Sequence, residues 1–453
     1  MVNTLFLPEI REMLAENNQH ELREFCKAIH PVGTAEFMGG LTPDESWRVL
    51  QFADEQTRGE IFLYFDHDRQ IELIQQRDRK EVADLIAHMA HDDRVDLLKE
   101  VDVTVVDELL ELLPSDDRRD ILRLRAHPED TAGAHMTTAM AKLPEDLTVQ
   151  DALHELQTQS EDLETIYYLY IVDESGHLRG VVSTRQLISS LGKPDTKLGD
   201  IMETELITVN INDDQEDVAQ KVARYDLLAI PVVDDQYRLQ GIITYDDVID
   251  VVVEEAVEDA HRIGGVDPLE RSYLRTDILT LGWKRGVWLA VLFMFALMTA
   301  YILKTYQEQL DKWDWLVYFI PLVISSGGNS GNQSATLIIT ALVRNDIEVG
   351  DWRPVVWREL LCGLLLGGFL AAMSLLAVYG IRGPDEMSWS TVCVLPLTVI
   401  LVVLCGTLLG SILPLVFQRF GLDPALMSNP FVAGLVDIIG IVIYINVAIL
   451  LLT

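Results

Sequence analysis

One carboxylate, Asp437, lies in an otherwise apolar stretch near the C-terminal end, NPFVAGLVDIIGIVIYI. A carboxylate at membrane depth is costly unless it faces water, a cation or a partner, so it is a candidate functional group. The apolar C-terminal part of the chain has no histidine, and no lysine or arginine lies deep in its apolar runs. The chemistry indicated is the binding of a hard cation by oxygen ligands. An aspartate satisfied by local structure is the alternative.

A polar segment, ISSGGNSGNQSA at residues 324–335, separates the apolar runs DWLVYFIPLV and TLIITALV. Its three glycines predict a break in the helix, and the freed backbone groups would have to line a polar cavity or pack against protein. The segment supplies Gly327, Gly328 and Gly331 and the amide side chains of Asn329, Asn332 and Gln333. Close helix packing through small residues is the alternative, and it explains the glycines better than the amides.

A second interruption, DPALMSNPF at residues 423–431, precedes the stretch that holds Asp437. Pro424 and Pro430 both disfavour a continuous helix. Free carbonyl groups near Ala425 and Asn429 could therefore face the same cavity as the polar segment. Because Mg²⁺ gives up its water reluctantly, a hydrated Mg²⁺ reached through Asp437 and amide oxygens is physically sensible.

Five apolar runs are long enough to cross a bilayer as helices, near residues 286–303, 315–343, 358–379, 391–417 and 430–452. The net charge of −36 is concentrated ahead of them, since residues 284–453 hold 9 Lys and Arg against 11 Asp and Glu, which leaves 26 against 60 for residues 1–283. With the N-terminus in the cytosol, the cytosolic side receives Arg271, Arg275, Lys284, Arg285, Arg344, Arg353, Arg358 and Arg419. Only Lys304, Lys312 and Arg382 fall outside, so the positive-inside rule favours a cytosolic N-terminus and an external C-terminus.

Acidic residues follow one another at helical spacing in YDDVIDVVVEEAVEDAHRIGG, just before the first apolar run. They are Asp246, Asp247, Asp250, Glu254, Glu255, Glu258 and Asp259, and the upstream segment HDDRVD adds Asp92, Asp93 and Asp96. Like charges at this spacing destabilise a helix. Carboxylates brought together from two domains repel one another unless cations lie between them, so this part is predicted to sense divalent cations. A solvated acidic face and a salt-adapted surface are the alternatives.

Two repeat systems must position these groups. The first is a short motif at PDESWRVL, DHDRQIEL, HDDRVDLL and SDDRRDIL, each copy starting with acidic first-turn residues; it predicts an α-helical superhelical domain over residues 1–130. The second has a period of 61 residues and reads as strand, turn, strand and helix in each copy, in YLYIVDESGHLRGVVSTRQLI and AIPVVDDQYRLQGIITYDDVI.

This second repeat resembles tandem CBS domains, an α/β pair assigned to residues 131–250. In CBS domains that bind adenine nucleotides, a Thr or Ser and an Asp contact the ribose. Thr244 and Asp247 match that pattern in the second copy, whereas the first copy has Ser183 and Gln186. The resemblance therefore implies at most one ATP site, in the second copy.

The segments PLVISSGGNSGNQSATLIITAL and DPALMSNPFVAGLVDIIGIVIYI resemble the MgtE family of magnesium channels, and the resemblance covers the whole chain. It implies a connecting "plug" helix over residues 251–280, a five-helix all-α transmembrane domain over 281–453, and a homodimer with a pore on its two-fold axis. Asp437 matches the family's selectivity carboxylate. The acidic regions match those that bind cytosolic Mg²⁺ and close the pore. Asn429 departs from the family, which usually has glycine there.

The function predicted is a Mg²⁺-selective channel in the cytoplasmic membrane, closed by cytosolic Mg²⁺. An ion-coupled transporter, or one that also passes Mn²⁺, Co²⁺ or Ca²⁺, is the alternative. A membrane-bound sensor or enzyme is a third hypothesis, but the apolar runs contain no recognisable nucleophile and base pair. The partners expected are membrane lipid, Mg²⁺ and a second copy of the chain, with no nucleic acid.

Overall fold

The computed structural model describes residues 5–99, 101–160, 163–269, 273–274, 276–344, 346–382, 388–426 and 429–453. Two of the cationic residues used for orientation, Arg271 and Arg275, lie outside the described residues, as do positions 427 and 428 of the second interruption. The chain divides into two compact units, Met1–Val252 and Val253–Thr453.

The first unit begins with ten short helices. They are α1 (Leu7–Ala15), α2 (Gln19–Ala28), α3 (Pro31–Met38), α4 (Pro43–Leu50), α5 (Glu55–Leu63), α6 (His67–Gln76), α7 (Arg79–Ala87), α8 (His91–Lys99), α9 (Val103–Leu112) and α10 (Ser115–Leu124). Each copy of the short acidic motif begins a helix, α4, α6, α8 or α10, which confirms the predicted helical repeat. In α4 the cap is reciprocal, because Thr42 accepts from the Glu45 amide and Glu45 accepts from the Thr42 amide.

Six strands and four helices follow, in two similar halves. The strands are β1 (Lys142–Pro144), β2 (Tyr168–Val172), β3 (Leu178–Ser183), β4 (Val209–Asn210), β5 (Ala229–Val233) and β6 (Leu239–Thr244). The helices are α11 (Val149–Gln159), α12 (Thr184–Ser189), α13 (Gln215–Tyr225) and α14 (Tyr245–Ile263). In each half the first strand pairs in parallel with the second and the second pairs antiparallel with the third, giving the orders β1-β2-β3 and β4-β5-β6.

The two halves repeat in detail at the predicted interval of 61 residues. A β-bulge falls between Ile171 and Val172 in one sheet and between Val232 and Val233 in the other. Gly180 and Gly241 occupy matching places, and at each a Cβ atom would lie within 3 Å of a methionine and a backbone carbonyl oxygen. The glycine is required at both places because a neighbouring segment crosses directly over the strand.

The second unit is helical, with α15 (Ile278–Thr305), α16 (Gln307–Lys312), α17 (Ile320–Val343), α18 (Trp352–Arg382), α19 (Trp389–Arg419) and α20 (Asn429–Leu452). Among the described residues, four of these helices, α15, α18, α19 and α20, are long and apolar enough to cross a membrane. α17 has 24 residues but carries the polar segment at its middle. Five long helices are thus present, and composition alone would not assign α17 as a span.

The predicted break in the polar segment is wrong, because α17 is one continuous helix. Its glycines let α17 approach α19 backbone to backbone: a Cβ atom on Gly406 would overlap the carbonyl oxygen of Gly327, and one on Gly410 would overlap that of Gly331. Backbone hydrogen bonds within the helix satisfy the amides that a break would have exposed. Helix packing through small residues therefore accounts for the glycines.

We expect Gly410→Ala to lower the stability of the membrane unit by about 1–3 kcal/mol, because the added methyl group meets backbone that cannot rotate away. Thermal unfolding in detergent measures the effect. Gly368→Ala is the matched control, since a Cβ atom there meets nothing within 4 Å. Equal melting of the two variants would contradict the close packing of α17 on α19.

Candidate cation pathway and acidic cluster

A polar groove runs along one side of α17. It encloses about 600 Å³ and is lined by Asn329, Asn332, Gln333, Thr336, Leu337 and Asn429. The amide oxygen of Asn332 is buried and has no hydrogen-bond partner among the described residues. A buried polar atom without a partner is costly, so this oxygen is suited to accept from a water molecule or a hydrated ion.

Asp437 lies beyond the Asn329 end of the polar groove. Asn429, at the first turn of α20, exchanges a hydrogen bond of 3.1 Å with Thr336, whereas a Cβ atom on Gly328 would lie 3.6 Å from Oδ1 of Asp437. The two helices are therefore antiparallel here, and eight residues of each, about 12 Å, separate the two contacts. Gly328 leaves the Asp437 carboxylate uncovered by any side chain at that position.

Of two further predicted pathway residues, Asn329 lines the polar groove and Ala425 does not. Asn329 donates through its side-chain amide to Ser325 Oγ at 3.2 Å. Ala425 is fully buried in the core of the helical bundle and does not line the polar groove. Its amide donates to Asp423 at 2.7 Å, so the chain does leave regular α-helix between α19 and α20, as the prolines predict.

Five carboxylates gather in the first unit, and we call them the acidic cluster: Asp92, Asp93, Glu164, Asp246 and Asp247. Burial, followed by the nearby Asp247 and Glu164, raises the pKa of Asp92 well above its usual value and that of Asp93 to about 7. Burial and Asp246 raise the pKa of Asp247 to about 6, against a hydrogen bond from Thr244 that lowers it. The cluster therefore holds its negative charge at an energetic cost.

The other predicted sensor carboxylates lie outside the acidic cluster. Asp96 is exposed and pairs with Lys99 at 2.7 Å. Asp250 and Glu254 are exposed on α14. Among the described residues, no three His, Cys, Asp or Glu side chains converge closely enough to hold a metal ion as they stand. Binding one would require the carboxylates to draw together.

The C-terminal end of α14 carries an ion-pair network in the second unit. Arg262 pairs with Glu258 and with Asp423. Burial, followed by Asp423 and Glu255, raises the pKa of Asp259 to about 6. Arg262 is thus a positive charge that offsets the acidic stripe at this end of the helix.

Sequence reasoning missed Glu164 and the Arg262–Asp423 pair. Glu164 lies in the loop before β2, far from the acidic runs along the chain, and only the fold brings it to α8 and α14. Asp423 begins the second interruption, where its type and position indicate a helix break and no ion pair. The partner of Arg262 is 161 residues away, and no sequence spacing indicates such a pair.

The proposed ribose contacts differ between the two CBS copies. In the second copy the Thr244 hydroxyl donates to Asp247, and Thr244 is buried. In the first copy, Gln186 caps α12 by accepting from the Ser183 amide at 2.7 Å. The substitution of glutamine for aspartate thus leaves a helix cap in place, without the negative charge.

We expect the acidic cluster to make the first unit less stable as pH rises when divalent ions are absent. Burial raises the pKa of the Asp93 carboxyl from its ordinary value of 3.8 to about 7 in the folded chain, so its contribution to stability is fully present below pH 3.8 and is lost as pH rises through 7. Between pH 5 and 8 the loss is on the order of 3 kcal/mol. Hydrogen exchange of α8 in the full-length protein, corrected for intrinsic rates, measures it.

Addition of Mg²⁺ should remove most of this pH dependence, because a bound cation compensates the ionised carboxylates. Hydrogen exchange of α2, which lies outside the acidic cluster, provides the internal control. Unchanged protection of α8 from pH 5 to pH 8 in a chelator would show that the carboxylates do not repel one another.

A bundle of apolar helices with a polar groove and a carboxylate at its end, joined to a CBS pair, defines the class of membrane cation transporters. The comparisons with known proteins agree. Family models match at residues 29–130 (MgtE intracellular N domain), at 132–193 and 198–254 (CBS domain) and at 320–447 (divalent cation transporter). The magnesium transporter MgtE of Thermus thermophilus is 41% identical over 329 residues, 73% of this chain and 72% of that protein. The chain belongs to the MgtE family.

Two solved structures resemble the first part of the chain. The soluble part of a magnesium transporter has a TM-score of 0.52 at 35% identity and covers 55% of this chain and 97% of its own. The cytosolic domain of the Mg²⁺ channel MgtE in complex with ATP has a TM-score of 0.50 at 33% identity and covers 53% and 98%. The predicted combination of a helical N domain, a CBS pair and a helical bundle with apolar helices is therefore confirmed.

Proposed function

We propose that this chain is a Mg²⁺-selective channel that admits Mg²⁺ passively across the cytoplasmic membrane and is closed by Mg²⁺ in the cytosol. The observation that carries the proposal is the polar groove of α17 and α20 with Asp437 at its end. Neutral amides and one carboxylate suit an ion that keeps part of its water. Inward movement of a divalent ion across about −100 mV releases roughly 2 × 2.3 kcal/mol, so no ATP hydrolysis is needed.

The polar groove is open on one side, and an open polar surface is unfavourable against lipid. A second copy of the chain, placed so that two grooves face each other, would enclose a pathway and present two Asp437 carboxylates. We propose this homodimer, with the N-terminus in the cytosol and the C-terminus outside. Cross-linking of the full-length protein in membranes tests the dimer.

Closure by cytosolic Mg²⁺ is supported by the acidic cluster and by α14, which runs without interruption from Tyr245 to Ile263. A cation that draws the carboxylates together stabilises one arrangement of the first unit. The helix α14 would transmit this arrangement, since its far end is held by the ion pair between Arg262 and Asp423. Individual ligands among the acidic residues remain predictions.

Single-channel recording with symmetric Mg²⁺ and titrated cytosolic Mg²⁺ tests conduction and feedback together. We expect unitary currents whose open probability falls as cytosolic Mg²⁺ rises. Flux into liposomes distinguishes this channel from the alternative, which is an ion-coupled or broader divalent-cation transporter. A requirement for an opposing Na⁺ or H⁺ gradient would refute the channel, and equal permeation of Mn²⁺, Co²⁺ or Ca²⁺ would refute its selectivity.

ATP is a second proposed ligand, favoured by the ATP complex of the similar cytosolic domain. In this chain we propose only the second CBS copy as its site, since Gln186 replaces the acid in the first. Ribose would have to displace the hydrogen bond between Thr244 and Asp247. Calorimetry with the full-length protein measures binding, and an unchanged affinity in Asp247→Asn would refute this location.

A further inference from the structure

Three consecutive residues, Thr137 to Ala139, connect the elements that carry the acidic cluster. Thr137 exchanges backbone hydrogen bonds of 2.8 and 3.0 Å with Ile242 of β6. β6 ends at Thr244, immediately before the α14 turn with Asp246 and Asp247. The segment is thereby fixed next to the carboxylates of the second CBS copy.

The next residue, Thr138, contacts the N domain. Its hydroxyl donates to Asp120 at 2.8 Å and lies 2.9 Å from Nδ1 of His91, which is itself 2.7 Å from Asp120. His91 is the first residue of α8, so this triangle holds the turn that contains Asp92 and Asp93. The N-domain carboxylates are thus positioned against the same short segment.

Ala139 completes the set by accepting a backbone hydrogen bond of 2.8 Å from Glu164, in the first CBS copy. The side chain of Glu164 is largely withdrawn from solvent, and burial followed by Asp247 and Asp246 raises its pKa. Three consecutive backbone positions therefore bring together carboxylates from the N domain and from both CBS copies.

Asp92 indicates that a ligand belongs among these carboxylates. It is only 7% exposed, and its Oδ1 has no hydrogen-bond partner among the described residues. The cationic side chains of α8 are engaged elsewhere: Arg94 with Asp117 at 3.0 Å and Lys99 with Asp96. A buried carboxylate oxygen without a partner, facing further carboxylates, is a position for a hard cation.

We propose that Glu164 supplies a carboxylate arm to a divalent cation bound among Asp92, Asp93 and Asp247. The cation then ties the first CBS copy, as well as the second, to the N domain. This rests on the proposed closure by cytosolic Mg²⁺ and names a further ligand of that regulatory site. The site joins the N domain and both CBS copies, so cation binding depends on the position of the Glu164 loop as well as on that of α8.

The test uses the full-length protein in detergent and compares Glu164→Gln with Glu174→Gln, a change of an exposed glutamate in the same CBS copy. Limited proteolysis is followed while Mg²⁺ is titrated. Glu164→Gln should need about tenfold more Mg²⁺ for half-maximal protection, as expected for loss of one arm of a metal site. In a chelator the same variant should be better protected than the wild type, because one repelling charge is gone. Glu174→Gln should match the wild type in both.

Protection that is weaker than that of the wild type with Mg²⁺ but stronger in chelator distinguishes a metal ligand from a residue that only stabilises packing. Weaker protection of Glu164→Gln both with chelator and with Mg²⁺ would overturn the proposal in favour of a packing role. A wild-type midpoint in Glu164→Gln would overturn the Glu164 assignment while leaving Mg²⁺ feedback intact. Absence of any Mg²⁺-dependent protection in the wild type would overturn both the feedback and this site.

Discussion

Replacing Asp437 by Asn should reduce Mg²⁺ flux into liposomes at least about 100-fold while the protein remains folded. A divalent ion one water away from a carboxylate, in a groove of moderate effective dielectric constant, gains several kcal/mol of Coulomb energy. Each loss of about 1.4 kcal/mol is a factor of ten in ion occupancy. Asn keeps the shape and the amide oxygen but removes the charge, so the change isolates the field at the end of the polar groove.

The matched control for this variant is Asp346→Asn, an exposed carboxylate just after α17 that lies outside the polar groove. Melting temperatures in detergent for the two variants should agree within a few degrees, since Asp437 is only partly buried. Selective Mg²⁺ flux retained in Asp437→Asn would refute its role. The role of Asp437 would also be refuted if Asp437→Asn and Asp346→Asn lost flux to the same extent.

Neutralising two carboxylates of the acidic cluster together, Asp92→Asn with Asp247→Asn, should abolish the dependence of open probability on cytosolic Mg²⁺. The two residues come from α8 and α14, and after burial the nearby Asp247 is the largest cause that raises the pKa of Asp92. Without both charges a cation loses its strongest attraction, and the repulsion that it would relieve is also absent. We expect open probability at low and at millimolar Mg²⁺ to become equal in single-channel recording.

The control pair is Asp107→Asn with Asp195→Asn, two exposed carboxylates in the N domain and first CBS copy. It removes the same net charge without touching the acidic cluster, so Mg²⁺ inhibition should persist. The sequence indicates Asp250 and Glu258 equally, but Asp250 is exposed and Glu258 pairs with Arg262. Normal Mg²⁺ inhibition in the Asp92 and Asp247 double variant would refute closure through the acidic cluster.

Local patterns were sufficient for most of the fold. The four copies of the acidic motif each begin a helix, and each places an acidic residue in the first turn, where a negative charge favours the helix. The 61-residue period predicted two matching sheets, down to the paired glycines Gly180 and Gly241. The apolar runs predicted the helices of the second unit, since the length needed to cross a bilayer is a property of consecutive residues.

The polar segment of α17 shows where local reasoning failed. Three glycines in a helical run predict a break when only backbone entropy is considered. The helix stays continuous because Gly406 and Gly410 of α19 have no side chain, which lets the two helix backbones come into contact. This close contact outweighs the entropy cost of the glycines. The amides of the same segment were correctly expected to lie at a cavity, because glycine and asparagine positions fall on different faces of the helix.

The sequence alone determined the family, the order of the domains, the helices and strands, and the chemical character of the site: neutral amides, one carboxylate in an apolar run, and runs of acidic residues. Tertiary structure decided which of these groups meet. Asp437 lies against Gly328, Asp92 lies with Asp247 and Glu164, and Asp423 pairs with Arg262. The physical reason is the distance along the chain over which each interaction acts, since helix and strand formation depend on neighbours within a few residues. Electrostatic interactions act across space between groups whose separation along the chain carries no signal.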